Sequence, residues 1–315
     1  MPLLTTCPQL ACERLKAGEL LALPTETVYG LAADARNQSA VAKVFALKGR
    51  PASNPLIIHL ASAEQAQEWA RDITAAAQRL MKAFWPGPLT LVLPAHAHVS
   101  RSITAGQDSV ALRVPAHPLA LEVLRRFDGG LVAPSANRYM SISPTCAAHV
   151  GQQFADSDLL ILDGGESAVG LESTIVSLLP NDQPRLLREG MLSPGQIEAV
   201  LGAILLRGAD SAVRVPGQHK KHYAPTTPSW RFAQTPVADL GNPQYAWLWC
   251  GEGLATAGPS ISLGNEPSAY AQGLYAALYQ LDGLGLQRLL IQLPTEAPAW
   301  LAVHDRLARA SQLLA

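Results

Sequence analysis

Short apolar runs alternate with amphipathic, helix-spaced stretches through about the first 205 residues. Residues 9–16 carry a helical pattern stopped by Gly18, and 20–23 form an apolar strand ending at Pro24. Ser39 is the expected N-cap of a helix over 40–48, with Gly49 as its stop. Residues 55–60 read as a strand. Ser62 and Gln65 have the spacing of a capping box and predict a helix to Arg71. A helix over 74–84 runs into Pro86-Gly87-Pro88. Further strands are expected at 89–93, 110–114, 131–133, 159–162 and 174–178, with helices at 118–127 and from Pro144 onward. Ser193, Pro194 and Gln196 open one more helix with N-cap, first-turn proline and N3 glutamine in order. The pattern is α/β or α+β around a broad sheet.

From 210 to 228 the periodicity stops and prolines and cations cluster, as in a connector that is either disordered or functional. Strands at 245–250 and 289–293 and helices at 270–281 and 299–314 then suggest a small second α/β domain. Of the 315 residues, 48% are apolar and 16% charged, enough for a large core and too few charges for disorder. Lys and Arg total 24 against 25 Asp and Glu. A chain devoted to gripping nucleic acid shows a basic excess or stripe, and neither is visible here. Cys7, Cys12, Cys146 and Cys250 fit no zinc or redox spacing and read as reduced thiols. With no secretory or membrane-spanning pattern, the chain reads as soluble and cytoplasmic.

No Walker loop, Gly-x-Gly-x-x-Gly, His-Glu-x-x-His or Gly-x-Ser-x-Gly occurs, so a nucleotide site must be built another way. Polar residues instead gather where strands stop. Thr25-Glu26-Thr27 follows the first strand, where open α/β sheets bind ligands, although hydroxyls there also serve an ordinary turn. Lys48-Gly49-Arg50 with Asn54 reads as an anion clamp or, more simply, as cations at a helix C-terminus. His59, inside an apolar strand, reads by itself as a core residue. Arg113, flanked by apolar residues, must find an anion, either an internal carboxylate or a ligand. Ser135 and Asn137 follow another strand. Ser143-Pro144 is expected to cap a helix whose N-terminus suits phosphate. Gly170-Leu-Glu-Ser-Thr174 and Leu187-Arg188-Glu189-Gly190 repeat the theme. Together they describe a cleft rich in hydroxyls, with Lys48, Arg50, Arg113 and Arg188 as convergent cations.

Pro24-Thr-Glu-Thr-Val-Tyr-Gly-Leu31, Lys48-Gly-Arg50 with Asn54-Pro-Leu56, Pro134-Ser-Ala-Asn137, Glu172-Ser-Thr-Ile-Val176 and Leu187-Arg-Glu-Gly190 closely resemble the YrdC-like threonylcarbamoyl-adenylate synthases. Pro216-Gly217 and His222-Tyr-Ala-Pro225 resemble the linker of the two-domain (Sua-type) version. The resemblance implies a YrdC-like twisted mixed sheet with flanking helices forming a concave cleft, plus a small C-terminal α/β (Rossmann-like) domain. Its divisions are a catalytic domain over 1–208, a linker and lid over 209–228, and a C-terminal domain over 229–315.

It also implies a reaction: L-threonine, bicarbonate or CO2, and ATP with Mg2+ give threonylcarbamoyl-AMP and pyrophosphate. A tRNA threonylcarbamoyl transferase complex then passes the group to adenosine 37 of tRNAs reading ANN codons. No metal site of the protein's own and no membrane are implied, and direct tRNA contact is left open. By the same resemblance Thr27, His59, Arg113, Ala133 (through its backbone) and Ser173 form the threonine pocket. Arg50, Asn54, Ser109, Ser135, Ser143, Arg188 and Tyr223 contact ATP. Lys48, Arg50, Ser135 and Asn137 carry the catalytic work, and Tyr223 folds over the cleft as a lid. Two departures stand out: Arg138-Tyr139-Met140 replaces a run that usually ends in Ser-Gly, and Lys220-Lys221 replaces an aromatic and a cation. The alternatives are an RNA-binding or ribosome-maturation module of the same fold, or a carbamoyl-adenylate enzyme, which would need further domains.

Overall fold

A computed structural model describes residues 1–180, 182–207, 213–217 and 222–314. Lys220 and Lys221 lie outside the described residues. Ten strands among these residues form one mixed sheet: β1 (Leu3–Thr5), β2 (Leu21–Leu23), β3 (Gly30–Asp34), β4 (Ile57–His59), β5 (Leu89–Pro94), β6 (Ser109–Arg113), β7 (Leu131–Val132), β8 (Leu160–Leu162), β9 (Thr174–Ser177) and β10 (Arg185–Arg188). Their order across the sheet is β1-β8-β2-β3-β7-β4-β6-β5-β9-β10. A second sheet, of β11 (Ser229–Phe232), β12 (Tyr245–Trp249), β13 (Ser260–Ser262), β14 (Arg288–Gln292) and β15 (Gln312–Leu313), has the order β13-β12-β14-β11-β15. Among the described residues its strands pair in parallel, so they need crossover connections, and the helix Pro267–Asp282 supplies one of them. The two domains share one apolar cluster: Val28, Ile142 and Leu171 of the first pack with Tyr270, Leu274 and Leu307 of the second. That is why the second domain is held against the strand ends that carry polar residues.

Most expected elements form, and the departures have local causes. The helix expected over 40–48 runs Gln38–Lys48 because Asn37, not Ser39, is its N-cap, accepting from the amides of Ser39 and Ala40. The capping box at Ser62 does not form; the Gln65 carboxamide accepts from the Ala61 amide at 2.8 Å, and only Ala66–Trp69 is helical. The helix expected from Pro144 begins at Ala147 and ends at Gln153. Ser143 does not cap it, because its hydroxyl donates to the Glu172 carboxylate at 2.6 Å. In the second domain the helix expected over 299–314 is Leu301–Ala310. Ser311 turns extended, and the following residues add β15 to the sheet edge. Strand β3, a run of small residues without alternation, had no pattern to announce it.

Candidate functional site

Six strand ends meet at one hollow. It is lined by Thr25, Thr27 and Val28 from the turn between β2 and β3, His59 at the end of β4, and Arg113 at the end of β6. Ala133, Pro134 and Ser135 follow β7, Glu172 and Ser173 precede β9, and Arg188 ends β10. The register explains part of the convergence: His59 pairs directly with Arg113 at the ends of the parallel strands β4 and β6, while β7 runs antiparallel to β4 and brings Ala133 beside Ile57, which also lines the hollow. Pro216, Gly217, His222 and Tyr223 close the hollow from the connector.

Three guanidinium groups face this space, each buried and each fixed. Arg113 donates to Glu26 at 2.6 Å, to the Thr27 hydroxyl at 2.8 Å and to the Gly87 carbonyl at 3.2 Å. Its anion is thus the internal carboxylate, yet only three of a guanidinium's five N–H donors are engaged. Arg188 donates to the Ser173 carbonyl and hydroxyl, both at 3.0 Å, and to the Pro216 carbonyl at 3.3 Å. Arg50 donates to the Pro55 carbonyl at 3.0 Å, and its Nε has no partner. Burial lowers the Arg50 pKa to about 10, which leaves it cationic at neutral pH. Burial, helped by Arg113, pushes His59 down to about 3, so the imidazole at the cleft floor is neutral. Burial would raise Glu172, but Arg306 and Arg188, with the Ser143 hydrogen bond, hold it at about 2. It is an anion in the same wall.

Thr27, Arg50, His59, Arg113, Ala133, Ser135, Ser173, Arg188 and Tyr223 are thus brought together. Lys48, Asn54, Ser109, Asn137 and Ser143 are not part of the lining. The fourth expected cation, Lys48, is buried beneath it, and its ammonium donates to the carbonyls of Ser135 at 2.5 Å and Asn137 at 2.6 Å. With these two carbonyls to satisfy, it ties a loop instead of facing the cleft. Asn137 closes the same loop, donating to the carbonyls of Arg138 and Ser141. The Asn54 amide donates to the Tyr139 hydroxyl at 3.0 Å. Ser109 begins β6 on the same sheet face as Arg113, roughly 13 Å away at a strand's rise per residue. Met140, where glycine was expected, itself takes the left-handed region at φ 69°, so the loop keeps the turn.

Two participants escaped the sequence. Glu172 stands in the motif Glu172-Ser-Thr-Ile-Val176, where the neighbouring hydroxyls carry the signal. Arg306 comes from the helix Leu301–Ala310 and donates to Glu172 at 2.7 Å. It lies on the face otherwise made by Ala302, Val303, Leu307 and Ala310, and one arginine in an apolar stripe was the available signal. Among the described residues no group of three or more His, Cys, Asp or Glu could hold a metal ion, and no helix is long and apolar enough to cross a membrane.

A family model described as "Telomere recombination", Sua5_yciO_yrdC, matches residues 13–190, more than half of the chain. This chain belongs to the Sua5–YciO–YrdC family. A second model, described as the C-terminal domain of threonylcarbamoyl-AMP synthase, matches residues 192–312. Within the family, a Pyrococcus abyssi protein named threonylcarbamoyl-AMP synthase is 40% identical, with 96% of this chain and 93% of that one covered. The Bacillus subtilis protein of the same name is 36% identical, over 98% and 94%. The structure of P. abyssi Sua5 complexed with L-threonine superposes with a TM-score of 0.89 at 35% identity, covering 100% of this chain and 99% of that one. Escherichia coli YciO, at 20% identity and a TM-score of 0.51, covers 60% of this chain and 95% of its own, and shares the fold.

Proposed function

We propose that this protein is a threonylcarbamoyl-AMP synthase. The observation that carries the reading is the convergence of Arg50, Arg113 and Arg188, from distant parts of the chain, on one hydroxyl-lined hollow. Two family relatives covering nearly the whole chain bear that name. The reaction joins L-threonine, bicarbonate and ATP into threonylcarbamoyl-AMP, pyrophosphate and water. The threonine amine takes up CO2, and one carbamate oxygen attacks the α-phosphorus of ATP. The bond from that phosphorus to the pyrophosphate oxygen breaks.

In this reading the donors of Arg113 not engaged by Glu26, Thr27 and Gly87 hold the threonine carboxylate. Thr27, neutral His59, the Ala133 backbone and Ser173 complete that pocket. Arg50 and Arg188 face the phosphates and balance charge as it moves to the leaving group, with Mg2+ arriving on the nucleotide. Ser135 contacts the nucleotide, while Lys48 and Asn137 act by fixing the loop that carries it. Asn54, Ser109 and Ser143 border the nucleotide farther out. Tyr223 covers a carbamate that water would destroy, and holding the reactants side by side supplies part of the rate. The chain divides into a catalytic domain over 1–208, a connector over 209–228 and a C-terminal domain over 229–315. The product goes to a tRNA threonylcarbamoyl transferase complex in the cytoplasm. Pyrophosphate release from ATP, with threonine and bicarbonate omitted in turn, is expected to need both. ATP turnover indifferent to threonine would refute the reading.

A further inference from the structure

The helix Leu301–Ala310 delivers Arg306 to the back of the hollow without letting it line the hollow. The side chain is fully buried, at 0% exposure. Its Nε donates to Glu172 Oε2 at 2.7 Å, and its Nη2 to the Glu189 carbonyl at 3.0 Å. Its Nη1 is held by Asp305 at 2.6 Å. The guanidinium carbon also lies 5.1 Å from the centre of the Tyr223 ring. Glu172 accepts further from Tyr275 at 3.1 Å and from Ser143 at 2.6 Å. Glu172 and Tyr223 both line the hollow, so one arginine of the second domain stands behind two of its wall residues.

Domain packing alone does not explain this. The other buried residues on that helix face are alanine, valine and leucine, and a buried ion pair seldom stabilises more than apolar residues of the same volume. The hollow does explain it. Its proposed ligands are a carboxylate, a carbamate and a triphosphate, and an uncompensated carboxylate in the wall would repel all three. We propose that Arg306 is a positioning residue of the ligand hollow, supplied by the second domain, which cancels the charge of Glu172 and holds Tyr223 over the bound anions. The proposal rests on the functional reading above and gives the second domain a part in binding the nucleotide.

Calorimetric titration with MgATP tests it, alongside circular dichroism to establish folding, on the full chain and on Arg306→Met, Glu172→Gln and the double variant. Folded Arg306→Met is expected to bind MgATP about tenfold more weakly or worse, since it leaves the wall carboxylate without its guanidinium partner. The double variant, with neither charge of the Arg306–Glu172 pair left, is expected to recover most of that loss. Glu172→Gln alone keeps Arg306 positive and should bind at least about threefold more tightly than the double variant. That comparison decides the matter even if Arg306→Met does not fold, because neither protein in it carries the unpaired carboxylate. A merely structural arginine would change melting temperature and leave these affinities equal, and equal affinities would overturn the proposal. A full chain binding neither MgATP nor threonine would overturn the functional reading, and this proposal with it.

Discussion

Lys48 and Arg50 flank a single glycine, and their hydrogen bonds separate two kinds of prediction. Replacing Lys48 by methionine removes the donor for two carbonyls, the half-buried one of Ser135 and the buried one of Asn137. Each unsatisfied group costs about 1–3 kcal/mol, so denaturant unfolding of Lys48→Met should show a loss of about 2–6 kcal/mol. Arg50 makes one hydrogen bond to protein and faces the hollow. Arg50→Ala is expected to lower kcat/KM for ATP about tenfold or more, with a small change in melting temperature. Gly217 is a position where only glycine fits: φ is 90°, and a Cβ there would stand 2.5 Å from the Tyr223 hydroxyl. Gly217→Ala should displace Tyr223 and reduce pyrophosphate release, while the melting temperature moves little. Unchanged turnover would show that the connector does not press on the site. Lys48-Gly-Arg50 was legible as a motif, but which cation faces the hollow depends on which carbonyls lie nearby, and those belong to a loop 87 residues away.

Elements follow the same division between local and distant causes. The helix Pro194–Leu201 formed where its capping box was read, because Ser193 and Gln196 satisfy each other within one turn. The capping box at Ser62 and the cap at Ser143 did not form, because Ala61 and Glu172 offered those side chains' neighbourhood other partners. The Ser143 case bears on the site: its hydroxyl steadies Glu172, and Ser143→Ala should weaken MgATP binding more than it disturbs any helix. Three histidines bear on stability: His59 at the end of β4 and His222 in the connector are buried, and His149 in the helix Ala147–Gln153 is half-buried. His59 and His222 have pKa values of about 3 and His149 of about 4, each lowered first by burial. The unfolded chain takes up protons near pH 6.5 that the folded one refuses, so stability is complete above that pH and declines as pH falls toward 4. The slope of unfolding free energy should approach three protons, or about 4 kcal/mol per pH unit at most. Urea titrations at pH 7 and pH 5 measure it. A pH-independent midpoint over that range would show that these rings are protonated in the fold.

For the whole molecule, the contact between the domains is part of the site. Arg306 and Tyr275 of the second domain bond to Glu172, Tyr279 donates to the Ile142 carbonyl at 2.8 Å, and its ring stacks on His149 at 4.0 Å. Removing residues 211–315 would strip these partners from a buried carboxylate and expose Val28, Ile142 and Leu171. Such a truncated chain is expected to lose synthase activity and to bind a hydrophobic dye. Full activity in it would mean that the second domain contributes only a tether.

Many of the strands and helices, several cleft-lining hydroxyls and the candidate cations were legible because each depends on a few neighbouring residues, whereas β1, β3, β11, β13 and β15 were not. Periodicity decides which face is buried, and a turn's composition decides where a strand stops. Three matters were settled only when the chain closed on itself. Arg113 had to find an anion, and the fold supplied Glu26 while leaving other donors toward the hollow. Lys48 became a brace and Arg50 a group facing the hollow, although they stand two residues apart. Glu172 and Arg306, 134 residues apart, became partners behind the same wall. Hydrogen bonds and charge pairs act over a few ångströms of space, whatever the separation along the chain, so no local pattern could have assigned them.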